Sequence, residues 1–360
     1  MRKAEGRRQK AEGKRQKAEG KGQKAEGKYP RVAFVIAAGV LCLTMAASGQ
    51  APQAPVAGRA PEIAFESVMD ALKLPPEMNF GEVAGIALNS KGHFFVYNRG
   101  RQTQLFEFDK DGRFLREIGK DLYGFDFAHV VRVDKDDNIW CVDEGSNMVI
   151  KFNPEGRVTM LLGRKWELPE GRPEQPPAGS PPPRATLNSF NRPTDVTWDP
   201  AGNIYVADGY NNSRVAKFDK NGNWVKAWGD RGTGPGQFNI PHTIASDAKG
   251  NIYVGDRTNR RIQVFDGEGT FERQFDNVLQ PWAICITPGP NQVLYSSDAN
   301  SGKIFKLDLN GTLLGTFGSF GKQPKQFGWI HEIACPSENE LYVGELLNWR
   351  VQKLLLKPPR

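Results

Sequence analysis

The chain has 360 residues, of which 39% are hydrophobic, 10% aromatic and 25% charged, with 39 glycines and 25 prolines. Repeated-blade sheet folds absorb this length in one domain, and a composition rich in glycine, proline and aromatics suits short strands joined by tight turns and argues against a helical bundle. The formal net charge of +7 is confined to residues 1–29, which carry eleven Lys/Arg against four Glu and leave 37 basic and 37 acidic residues for the rest, so no nucleic-acid partner is expected.

Residues 1–29 repeat a seven-residue unit of the type QKAEGKR with no apolar residue at heptad core positions. Such a segment is no coiled coil and cannot bury enough apolar surface to offset chain entropy, which predicts a disordered basic tail. Residues 30–49 contain the apolar run Val32 to Ala47, preceded by Lys28 and Arg31 and followed by small residues. This pattern reads as an export signal and predicts a secreted or periplasmic protein; an uncleaved membrane anchor is the alternative, and only then is a membrane partner expected. Cys42 lacks the small residue that a lipoprotein signal places before its cysteine. A Pro/Ala-rich linker covers 50–61.

From residue 62 to 357 the sequence repeats every 40 to 50 residues. The unit is plainest from Phe190 (FNRPTDVTWDPAGNIYVADGYNNSRVAKFDKNGNWVKAWG) and from Phe238 (FNIPHTIASDAKGNIYVGDRTNRRIQVFDGEGTFERQF), with equivalents near Phe80, Phe125, Leu279 and Phe327. Each unit reads as four short strands separated by Gly/Asn turns, and six such units predict an all-β, six-bladed β-propeller. The segment Asp256 to Phe265 resembles an NHL-type repeat. The sixth unit stops after its third strand, so EIAFESV, Glu62 to Val68, is expected to supply the missing fourth. Cys141, Cys285 and Cys335 are too few by one to pair completely and read as isolated buried small residues.

Aligned on the first strand, the units place one residue 14 positions before the acid that ends the second strand. That residue is His129 (before Asp143), His242 (before Asp256) and His331 (before Glu345), and the first-strand alignment puts Ala84, Thr194 and Trp282 at the corresponding site of the intervening units. Histidines in alternate blades of a six-membered ring have threefold placement about the axis, which predicts one shared metal site. Neutral imidazoles suit zinc, with copper and iron as rivals, and three protein ligands leave a coordination position open. The terminal acids themselves read as turn-formers, and His93 as an exposed hairpin residue. The residues that follow the terminal acid open onto the same mouth: Arg99, Tyr210 and Arg257. Two guanidiniums and a phenol there predict an anionic, carboxylate-bearing small-molecule or peptide substrate. The Pro-rich connection from Arg164 to Ser189 enters this face as a candidate lid.

The segments GEVAGIALNSKGHFFVYNRG, PTDVTWDPAGNIYVADGYNNSR and IPHTIASDAKGNIYVGDRTNRRIQVF resemble the peptidyl-α-hydroxyglycine α-amidating lyase domain, over about residues 70 to 357. The resemblance implies that His129, His242 and His331 hold zinc, that Tyr210 is the catalytic tyrosine and that Arg99 and Arg257 are the active-site arginines. It also implies a structural calcium held partly by Glu332 and by backbone carbonyls near Ile86 and Val131. Two positions depart from that pattern: Asn211 replaces a disulfide cysteine, and Trp329 replaces a methionine two residues before the third histidine.

The implied reaction splits the N–C bond of a peptidyl-α-hydroxyglycine into a peptide amide and glyoxylate, with Tyr210 as base at a pKa lowered by the metal or an arginine. The rival readings are a non-catalytic NHL-type propeller that binds a protein or peptide, and a metal-dependent propeller hydrolase. A monomer is expected.

Overall fold

The computed structural model describes residues 60–165 and 189–357. The expectations for the tail, the export signal, most of the linker and the 166–188 connection lie outside these residues. The described residues form strands and turns and contain no helix. Six four-stranded antiparallel sheets follow one another along the chain. Blade 1 runs from Glu82–Leu88 to Phe114–Ile118, blade 2 from Ala128–Val133 to Val158–Gly163, and blade 3 from Asp195–Trp198 to Trp224–Trp228. Blade 4 runs from Pro241–Ser246 to Phe271–Phe275 and blade 5 from Pro281–Ile286 to Leu313–Phe317. First strands of successive blades touch all the way round, with blade 6 against blade 1, so the ring closes.

Local chemistry explains the regularity of the blades. Where the third strand turns into the fourth, an acid accepts two backbone N–H bonds: Asp109 Oδ1 takes those of Asp111 (2.9 Å) and Arg113 (2.8 Å). This side-chain turn ends on Gly112, whose φ of 78° disfavours any residue with a Cβ. The second strand of each blade brings one aromatic residue between the sheets: Phe95, Trp140, Tyr205, Tyr253, Tyr295 and Tyr342, all buried. Burial of these rings between neighbouring blades supplies much of the inter-blade cohesion.

Blade 6 contains Ile330–Ser337, Glu340–Glu345 and Arg350–Leu356, and Phe65–Val68 pairs antiparallel with the last of these. The N-terminal segment therefore completes the ring, as its apolar spacing predicts. Phe65 is its anchor: its ring lies 5.0 Å from that of Phe317 in blade 5 and 6.3 Å from that of Phe327. Phe65→Ala is expected to cost about 3–5 kcal/mol in urea unfolding, the range for a buried phenylalanine; a loss below about 1 kcal/mol would mean that the closure does not depend on it.

Two expectations need correction. Cys285 and Cys335 are not isolated but joined in a disulfide between the first strands of blades 5 and 6, with Cα atoms 6.1 Å apart. They lie 50 residues apart in sequence, and only ring geometry brings them together; among the described residues Cys141 is a free buried thiol. His93 is partly buried, not simply exposed, because its Nδ1 lies 2.9 Å from Glu107 Oε1.

Candidate metal centre

Each histidine sits at a β-bulge in a first strand. Ala128 pairs with Asp143 and Val130 with Val142, which leaves His129 as the extra residue. His242 occupies the same place between Pro241 and Thr243, and His331 between Ile330 and Glu332. A bulged residue is released from the ladder and its side chain re-aimed, here toward the axis. The ring centroids stand 4.7 Å (129 to 242), 4.6 Å (129 to 331) and 5.1 Å (242 to 331) apart. One ligand nitrogen from each lies within 4.8 Å of the other two, a spacing suited to a single ion, and all three residues are buried. The three histidines singled out from the sequence thus stand together as one buried cluster.

The neighbouring blade orients two of the three rings. His242 Nδ1 lies 2.7 Å from the carbonyl of Trp282, and His331 Nδ1 lies 2.8 Å from that of Ala84. A carbonyl only accepts, so Nδ1 carries the proton and Nε2 keeps its lone pair for a metal. Thr194 holds the matching place for His129, whose Nδ1 makes no hydrogen bond of good geometry. Burial drives the pKa of all three histidines down, that of His331 to about 3, and the positive charge of Arg99 acts in the same direction. Neutral imidazoles are the form that binds a metal.

The terminal acids are turn-formers, as read. Asp143 accepts from the backbone N–H groups of Asp126, Phe127 and Ser146 and from the Tyr97 hydroxyl, while Asp256 accepts from the Asn239 N–H and from Arg261. These bonds fix the turn that carries the next residue onto the mouth. In blade 3 the turn also needs Gly209, because a Cβ there would stand 2.0 Å from the Pro241 carbonyl oxygen beside His242. That close approach brings the Tyr210 hydroxyl 3.2 Å from His242 Nε2 and 3.4 Å from His129 Nε2.

Arg257 reaches the same hydroxyl, its Nη1 at 3.5 Å, and Arg99 is braced by Glu82 (2.6 Å), the Ala128 carbonyl (3.1 Å) and the Phe127 ring (3.8 Å). All six residues singled out from the sequence therefore converge. Of the two causes expected to lower the Tyr210 pKa, a metal or an arginine, the arginines by themselves do not do so. Arg257 and Arg99 do favour the phenolate of Tyr210, but burial, followed by the nearby Glu144 carboxylate, outweighs them, and its pKa is raised.

Glu144 and Arg192 were missed. Glu144 is buried, with Oε2 4.0 Å from His129 Nε2, and its other oxygen pairs with Arg192. Burial raises its pKa against the pull of Arg192. Arg192 lies 4.7 Å over the Tyr210 ring. The repeat register held a signal for both: Glu144 occupies the column of Arg99 and Arg257, and Arg192 stands two residues before its axial residue, as Trp329 does.

Beneath the histidines, Glu332 Oε1 takes Arg132 Nη1 at 3.0 Å and the N–H of Ile333, while Oε2 is buried without a hydrogen-bond partner. Arg132 also makes a bidentate pair with Asp195, at 2.9 and 2.7 Å. Ile86 and Val131 lie on the first strands of blades 1 and 2.

Fold and site together define a six-bladed β-propeller with a tri-histidine axis. Residues 189–311 match a family described as a 6-bladed beta-propeller. The chain is 30% identical to the peptidyl-glycine alpha-amidating monooxygenase B of Xenopus laevis over 309 residues, covering 74% of this chain and 33% of that protein. It is 27% identical to the peptidyl-alpha-hydroxyglycine alpha-amidating lyase 1 of Drosophila melanogaster, covering 64% and 45%, and 30% identical to the NHL repeat-containing protein 3 of Mus musculus, covering 62% of each. The chain is thus a homologue of proteins named as amidating lyases and of NHL repeat-containing proteins. It spans about a third of the length of the monooxygenases that it matches.

Proposed function

We propose that this propeller is a metal-dependent lyase that cleaves the N–C bond of a peptidyl-α-hydroxyglycine to give a peptide amide and glyoxylate. The observation that carries the reading is the Tyr210 hydroxyl, 3.2 and 3.4 Å from two metal-facing nitrogens and beside Arg257. A bound zinc ion, or iron as its rival, would be held by Nε2 of His129, His242 and His331 and would act as a Lewis acid on the substrate hydroxyl.

The protein's own groups do the rest. Arg99 and Arg257 bind the carboxylate and orient the bond to be broken. Tyr210 takes the hydroxyl proton; the O–H electrons become the new C=O bond, and the C–N pair leaves on nitrogen, which takes up a proton to become the amide. Because burial raises the Tyr210 pKa, these arginines alone do not make it a base near neutrality, and the charge of a bound metal is needed as well. Release of glyoxylate from α-hydroxyhippurate by purified protein tests the reading; stoichiometric metal with no turnover would overturn it.

The second reading, a non-catalytic binding propeller, is favoured by the similarity to an NHL repeat-containing protein. It gives Tyr210 and the three histidines no task, and the same assay decides between the two. Export from the cytoplasm is part of the proposal, and the Cys285–Cys335 disulfide supports it because such bonds persist in oxidising compartments.

A structural calcium at Glu332, with the carbonyls of Ile86 and Val131, is the remaining part. The free Oε2 supports it, and so does the excess of two buried carboxylates, Asp195 and Glu332, over the single guanidinium of Arg132. Adding Ca2+ to chelator-treated protein is expected to raise Tm by several degrees, and Glu332→Gln to abolish the rise. An unchanged Tm would mean that Arg132 is the only cation this layer needs.

A further inference from the structure

The mouth is chemically divided. Around blades 1 to 4 the residues beside the histidines are charged or phenolic: Arg99, Glu144, Arg192, Tyr210 and Arg257. In blades 5 and 6 the column of Arg99, Glu144 and Arg257 holds Ala299 and Leu346, both buried, with Trp282 in the axial column and Trp329 two residues before His331; in blade 5 the columns of Arg192 and Tyr210 hold the uncharged Gln280 and Asn300, which bond to each other at 2.9 Å. The Trp282 ring lies 5.2 Å from that of His242 and 6.0 Å from that of His331, and Trp329 extends this wall outward at 5.4 Å and 42°. Trp329 remains 36% exposed, so its outer surface is free.

The arrangement is built in. The N–H of Leu346 bonds to the Trp329 carbonyl at 3.0 Å, and Trp329 is held at φ 56°, a left-handed conformation costly for a bulky residue. Arg257 stacks over Trp282 at 4.7 Å, which places the boundary between the two halves at the arginine taken to bind the carboxylate.

We infer that Trp282 and Trp329 form a specificity wall for an aromatic group on the acyl side of the bond that is cleaved. This rests on the lyase reading. An α-hydroxyglycine has its carboxylate on one side of the reacting carbon and its acyl amide on the other. With the carboxylate on the arginines, the acyl group faces blades 5 and 6. Indole faces favour offset or edge contact with another ring over contact with a small polar group. The substrate class is therefore a peptide, or an N-acyl-hydroxyglycine, with an aromatic group next to the hydroxyglycine.

The test uses two unreactive carboxylates, N-benzoylglycine and N-acetylglycine, titrated into metal-loaded protein and followed by tryptophan fluorescence and calorimetry. N-benzoylglycine is expected to bind about 10-fold to 100-fold more tightly. In Trp329→Gly, where glycine accepts the positive φ without strain, that ratio is expected to fall below about 5-fold. Equal affinities in the wild type, or an unchanged ratio in the variant, would overturn the inference. The lyase reading stands or falls separately: failure to release glyoxylate from α-hydroxyhippurate would sink it without altering the binding ratio.

Discussion

Replacing Tyr210 by phenylalanine is expected to lower kcat by about 100-fold to 10,000-fold, the range for removal of a general base, while bound metal stays stoichiometric. Phenylalanine keeps the ring on which Arg192 lies and loses only the hydroxyl, whose contacts with His242 and His129 fall on the Nε2 atoms that a metal would take. His242 and His331 remain fixed by backbone carbonyls of the next blade. KM is expected to change by less than about 3-fold, because Arg99 and Arg257, not the phenol, bind the carboxylate. Metal analysis beside steady-state kinetics checks this: kcat within about 3-fold of wild type removes Tyr210 from the chemistry, and loss of metal makes it a structural support of the site.

The second large effect is expected from His242→Ala. It removes one of three ligands and leaves the Trp282 carbonyl without its partner. Loss of an outer-shell partner costs a metal site 10-fold to 100-fold in affinity, so loss of a ligand is expected to cost more than about 100-fold, with turnover falling to background. The variant is expected to fold, because the bulge that carries residue 242 is set by the strand register and by Asp256, which accepts from the Asn239 N–H and from Arg261. Equilibrium dialysis against a chelator measures the affinity. Retention of tight metal binding would place the ion elsewhere.

Proton competition adds a pH dependence. Because burial depresses the folded-state pKa of His331 to about 3, the metal-free fold takes up this proton less readily than the unfolded chain. Its contribution to stability is complete above the unfolded value of about 6.5 and is lost as pH falls toward 3. The metal-free protein is thus expected to lose Tm steadily between these limits.

The features legible in sequence were those that the repeat states in its own register. Six aligned units gave the blades, an apolar segment at Glu62–Val68 gave the closure, and one column gave His129, His242 and His331. Tyr210, Arg99 and Arg257 followed because the end of a second strand lies beside the start of the first. The β-bulges that turn the histidines inward were not legible, since a bulge changes pairing without changing spacing. The Cys285–Cys335 bond was hidden because it joins neighbouring blades, while the repeat describes each blade alone. Glu144 and Arg192 stood in informative columns but looked like ordinary surface charges. Only the closed ring shows that they pair beside His129 and Tyr210, and that burial sets the Tyr210 pKa against the neighbouring arginines.

Purified, metal-loaded protein incubated with α-hydroxyhippurate is expected to release benzamide and glyoxylate in equal amounts, because one N–C bond breaks and the hydroxylated carbon becomes the aldehyde. Benzoate as the product would mean that the site hydrolyses the amide instead. Release of neither product, from protein with its metal in place, would rule out the lyase and leave a metal-binding propeller.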